Sequence, residues 1–130
     1  MIVFVRALAV WVVIILAETV HGVLRNQFLV PVVGDFRSRQ IGVFIGSVLI
    51  LAITILSVRW INASSSTYLI GIGALWAFLT LLFELALALI LRLDVRRIVE
   101  DYDLMNGGLM PLGLLFLWFT PVVAHRIRKQ

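Results

Sequence analysis

Four long apolar runs, each with few polar positions, constrain this chain more than any other feature. They run from about Val3 to Leu24, Ile41 to Ile61, Tyr68 to Leu91 and Leu109 to Ala124. At about 1.5 Å per residue, the longer of these reach across the roughly 30 Å of a bilayer's hydrocarbon core. A soluble domain is close to half apolar and a quarter charged. This chain is 62% apolar and 14% charged over 130 residues, more apolar surface than so small a soluble fold can bury. The runs are continuous rather than alternating, which excludes a membrane β-barrel. The expected fold is an all-α membrane protein, a single integral domain over residues 1–130. It has four transmembrane helices plus one interfacial amphipathic helix, and the lipid bilayer is its first partner.

The first run ends in Ala17-Glu18-Thr19-Val20-His21-Gly22-Val23-Leu24-Arg25. Glu18, His21, Gly22 and Arg25 fall at i, i+3, i+4 and i+7, one face of a helix. An acid, an imidazole and a guanidinium therefore share one stripe of a span. Ionisable groups in such a place are costly and usually face a bundle interior or a wet cavity. A cleaved signal peptide would need a small residue where Ile15 precedes Leu16-Ala17, so the run is expected to be a retained helix.

Along the rest of the chain, Asn26 to Gln40 is expected to be a loop, with Phe28–Val33 in the membrane interface. Pro31 and Gly34 argue against a continuous helix there. The second run contains Gly42-x-x-x-Gly46, a spacing that lets helices pack closely, and Asn62–Thr67 is a polar turn. On the third run Trp76, Thr80 and Glu84 share a face at i, i+4 and i+8. Between Arg92 and Asn106, residues Leu91, Val95, Ile98, Tyr102 and Met105 follow a helical period, the pattern of an amphipathic interfacial helix. Arg96 with Glu100, and Arg97 with Asp101, have i+4 spacing for ion pairs. Gly107-Gly108-Leu109-Met110-Pro111 opens the fourth run as a weak helix start, or simply as one with Pro in its first turn.

Four crossings make the first and third helices parallel. Glu18 and Glu84 then lie at similar depth, near the face that also bears Arg25, Arg92 and the run Glu100–Asp103. His125 falls at the opposite face. Six basic residues on one side against five on the other nearly balance the positive-inside count, and the basic tail favours both termini inside.

These residues set the functional expectations. The formal charge is +4, with basic residues at loops and tail where they meet lipid headgroups, so nucleic acid is not an expected partner. No cysteine is present, which removes disulfides, thiolate metal sites and thiol chemistry. No phosphate loop, no dinucleotide fingerprint and no nucleophile–base pair occurs, so no cofactor is indicated and enzyme status stays open. The leading expectation is a transporter or channel for a small ion or solute, with Glu18, His21, Arg25 and Glu84 on the pathway. A carboxylate beside an imidazole can load and release a proton or a cation. One alternative is a structural or assembly protein in which the same four residues form a buried ion-pair network. Another is a membrane-embedded metal site or enzyme. Glu18-x-x-His21 has the spacing of di-metal carboxylate bundles, with Glu84 as a further ligand and a two-fold dimer to complete the set. Gly42 and Gly46 are assigned to helix packing, and as a close-packing seam they suggest a homo-oligomer.

Two resemblances accompany these residues. Ile15-Leu16-Ala17-Glu18, followed by Gly22, resembles the first helix of the small multidrug resistance transporters. Those are four-helix proteins that work as dimers around this Glu; the resemblance covers that one segment. More of the chain is similar to small uncharacterised bacterial four-helix inner-membrane proteins. The patches that carry this are Ala17-Glu18-Thr19-Val20-His21-Gly22, Leu79-Thr80-Leu81-Leu82-Phe83-Glu84 and Asp101-Tyr102-Asp103-Leu104-x-x-Gly107. It implies a multi-pass protein of the bacterial inner membrane and no particular activity.

Overall fold

A computed structural model of the chain describes residues 2–63, 65–92 and 95–129. The side chains at positions 95, 97, 98, 101, 106 and 129 lie outside the description, and with them the expected Arg97–Asp101 pair. The described residues are helical, with no strand among them. Four helices are long and apolar enough to cross a membrane.

Helix α1 spans Ile2–Leu24. It does not end in a loop. A π-helical turn, Arg25–Leu29, carries it into the short helix α2, Val30–Val33. The expected interfacial loop is thus helical up to residue 33. Pro31 lacks an N–H and its ring crowds the carbonyl four residues back in a regular helix. The wider turn before it relieves both conflicts: the N–H of Val30 reaches back to the Arg25 carbonyl, and Pro31 sits in the first turn of α2. Gly34, at φ +89°, makes the actual break. Only glycine adopts that backbone freely.

Helix α3 begins at once, Asp35–Ile61, six residues before its expected start, with Asp35 favourably placed in its first turn. It ends on Asn62, in the left-handed conformation at φ 62°. Helix α4 spans Ser66–Ile90, and the Ser65 side chain caps it by accepting from the Thr67 N–H at 3.2 Å. Helix α5 covers only Val95–Tyr102. A 3₁₀ turn, Leu104–Asn106, and Gly107 at φ +94° lead to α6, Met110–Lys129. Pro111 falls in the first turn of α6, where its missing N–H costs nothing.

Helix α3 packs between α1 and α6, and α6 packs between α3 and α4. The α4–α6 crossing is backbone against backbone: a β-carbon at Gly73 would stand 1.7 Å from the Trp118 carbonyl oxygen. At the end that bears the termini, α1 closes onto α4. Trp76 is fully buried and donates from Nε1 to the Ala7 carbonyl at 2.9 Å. Trp11 donates to Thr80 Oγ1 at 3.1 Å and meets Phe83 edge-on. Phe4 meets Tyr68. Partners 7/76 and 11/80 keep one offset, 69 residues, so α1 and α4 run parallel. The apolar core lies at this end and includes Ala7, Val10, Ile14, Val58, Ile61, Leu69, Ile72 and Trp76. Buried Thr54 and Thr120 satisfy their hydroxyls on their own helices, at the carbonyls of Ile50 and Phe116.

Candidate functional site

Beyond the Trp11–Phe83 pair a cleft of about 610 Å³ lies between the two helices. Its walls are Ile14–Asn26 on α1 and the following turn, and Thr80–Leu91 on α4. Its floor is Gly42, Val43, Gly46, Ser47 and Ile50 of α3 with Gly113, Leu114 and Leu117 of α6. Tyr102, Gly108 and Leu109 border its outer end. Glu18, His21, Arg25 and Glu84 all line this one cleft. They come from two walls and are half-buried rather than fully buried.

On the α1 wall the polar stripe lies in a trough made by two glycines. A β-carbon at Gly46 would stand 2.8 Å from Glu18 Oε2, and one at Gly42 would stand 3.1 Å from Arg25 Cδ and 3.6 Å from His21 Cε1. The four-residue glycine spacing of α3 matches the stripe of α1 one turn for one turn. Gly42 and Gly46 therefore pack within the chain, and the seam suggested for a second copy is already occupied.

His21 Nδ1 faces Glu18 Oε2 at 3.5 Å, with the side chains 15% and 28% exposed. Glu18 Oε1 is buried and has no hydrogen-bond partner among the described residues. A buried, unsatisfied carboxylate oxygen forfeits hydrogen bonds it would make in water, at a cost of about 1–3 kcal/mol. Arg25 Nη1 donates to Ser38 Oγ at 3.4 Å, and Ser38 in turn donates to the Asp35 carbonyl. The π-helical turn that starts at Arg25 is thereby tied to the first turn of α3.

On the α4 wall, Trp76, Thr80 and Glu84 form the expected face. The first two bond to α1. Glu84 Oε2 accepts from Tyr102 Oη, at the last residue of α5, at 2.8 Å. The offset of 69 places Glu84 opposite Ile15 and Glu18 opposite Leu87. The two acids are therefore about one turn, roughly 4.5 Å, out of step rather than level.

Two further bonds fasten the α4–α6 connection over the outer end of the cleft, and a third holds Arg39 within α3. Arg39 pairs with Glu100 at 2.8 Å and with Asp35 at 3.2 Å. Gln40 donates to the Gly107 carbonyl at 2.6 Å. Glu100, expected to pair with Arg96, thus has Arg39 as a partner. The sequence places Tyr102 on the face of the interfacial helix rather than at the site, and marks Arg39 and Gln40 only as part of a loop. Their partners are 61 to 67 residues away for Arg39 and Gln40, beyond any local pattern.

The metal expectation at Glu18, His21 and Glu84 is not met within one chain. Among the described residues no three His, Asp or Glu side chains gather closely enough to hold an ion. The physical reason is the split of the site: Glu84 belongs to the other wall and turns to Tyr102. Comparison of the chain with family models, curated proteins and solved structures finds no match to any of them.

Proposed function

We propose that this chain is a carrier-type membrane protein, and that the α1–α4 cleft takes a small ion or solute at Glu18, with His21, Arg25 and Glu84 around it. The observation that carries the proposal is the Glu18 carboxylate, which has one oxygen unsatisfied and lines a cleft of about 610 Å³. Small-ligand sites are commonly clefts of this size, mostly apolar with a few convergent polar groups. The packed core at the termini end favours a carrier over a permanent pore, because Trp76, Ile72 and Ile14 fill the path beyond the cleft. The resemblances support a bacterial inner-membrane location. The apolar period of residues 91–105 supports an interfacial role for α5. The cleft is complete in one chain, so a homo-oligomer, if formed, is not needed to build it.

A second role has its own observation in favour. The fit of Glu18, His21 and Arg25 into the Gly42/Gly46 trough also fastens α1 to α3, as a structural network would. Reconstituted liposomes separate the two. For a carrier, Glu18→Gln abolishes solute flux or proton coupling while the protein stays folded. For a fastener, the same change lowers stability and no solute-dependent flux exists in the parent protein.

A further inference from the structure

We infer that the ligand enters the cleft sideways from the bilayer, and that it is a single-chain lipid with an uncharged, hydroxyl-bearing head, of the long-chain alcohol or monoacylglycerol class. This rests on the site proposed above and names its ligand class.

The first ground is the mouth. The cleft lies between α1 and α4 over a floor of α3 and α6, so its opening lies along the side of the bundle. Of the exposed residues that line it, Val23, Leu85, Leu87 and Leu91 are apolar, Asn26 lies at the outer end, and Thr19 turns its hydroxyl to the Ile15 carbonyl of its own helix. Within a membrane-spanning stretch such rims meet acyl chains; an entrance used by water would be rimmed with polar groups. The second ground is the gradient inside. The outer end carries Arg25, Asn26, Arg39, Gln40 and Tyr102, and the deep end carries Ile14, Ile50, Leu114 and Leu117. An amphiphile lying as membrane lipids lie would meet polar groups near the surface and apolar ones below.

The third ground selects the head. Arg39 is already paired with Asp35 and Glu100, which leaves Arg25 and His21 on the cleft beside Glu18 and Glu84. With basic and acidic side chains both present, the inferred head carries no net charge. What the site lacks is a hydrogen-bond donor for Glu18: Oε1 has none among the described residues, and His21 faces Oε2. A hydroxyl in the cleft supplies that donor once the carboxylate turns off Gly46, a rotation about its own side-chain bonds.

The test uses a monoacylglycerol with a photoreactive diazirine in its chain, added to the full-length protein in phosphatidylcholine vesicles, with labelled residues mapped by mass spectrometry. Labelling should concentrate on Leu81, Leu85 and Leu114, and unlabelled monoacylglycerol should compete it away. Glu18→Met, which removes the acceptor while keeping length, should reduce it by on the order of tenfold, the worth of one hydrogen bond to a charged group. Val23→Trp, which narrows the mouth without touching Glu18, should reduce it as well. Leu56→Trp, on the exposed far side of α3, should not. Even labelling over Phe44, Val48 and Leu56, indifferent to these substitutions, would overturn the inference. So would stronger competition by a long-chain amine, or full competition by glycerol alone. If labelling is absent but Glu18→Gln still abolishes flux of a water-soluble solute, the ligand class is wrong and the carrier proposal stands. If flux is absent too, both fail.

Discussion

The carboxylate of Glu18 lies against the bare backbone of Gly46, so close that a β-carbon there would stand 2.8 Å from Oε2 and 3.1 Å from Oε1. This contact differs in kind from the one at Gly73, where the neighbour is the Trp118 main chain at 1.7 Å. A carboxylate at the end of a flexible side chain can move aside; a helix backbone cannot. Gly46→Ala should therefore change stability by less than about 1 kcal/mol, since alanine's helix preference offsets the displacement of Glu18. Gly73→Ala should cost about 3 kcal/mol or more, because α4 and α6 must separate. Thermal melts of the two variants in one detergent check the ranking.

The divergence of α1 and α4 predicts a wedge. The chain has no cysteine, so spin-label pairs can be introduced without background. A pair at Phe4 and Tyr68 should give a short distance, and a pair at Val23 and Leu91 a longer one. Equal distances would mean that the helices stay together along their length and that the cleft closes.

Much of the α1 side of this site was readable in the sequence, because helical periodicity acts locally. The spacing of Glu18, His21 and Arg25 places them on one face wherever the helix packs. The same holds for Trp76, Thr80 and Glu84. The Gly42/Gly46 spacing announces a close approach but not by what: a second copy fits the pattern as well as the chain's own α1. The segment after Arg25 is helical although Pro31 argues against a helix, because a π-helical turn accommodates it and such a turn has no residue signature. Glu84's partner, Tyr102, depends on how α5 folds back, and the cleft depends on the tilt between two helices. Neither quantity is written in any window of sequence.

The bonds over the outer end of the cleft should be separable from the bundle itself. Arg39→Ala removes the pairs to Asp35 and Glu100; Arg39 is 11% exposed and its partners 41% and 47%, so the loss should be about 1 kcal/mol. Tyr102→Phe removes the bond to Glu84. The double variant should be cleaved faster by protease between residues 95 and 108, while the melting temperature of the four long helices falls by no more than about 5 °C. A large fall in melting temperature would show that this connection is part of the core.

The most direct measurement is the melting temperature of Glu18→Gln against the parent protein, needing no knowledge of the ligand. A carboxamide of the same shape removes a charge whose Oε1 no described residue satisfies. If Glu18 is kept for a ligand, stability should be unchanged or higher, as for functional groups held at some cost to the fold. If Glu18 is instead a fastener for His21 and Arg25, losing about 1 kcal/mol would lower the melting temperature by roughly 3–5 °C in a chain of this size. A fall of that size or larger would contradict the ligand role assigned to the cleft.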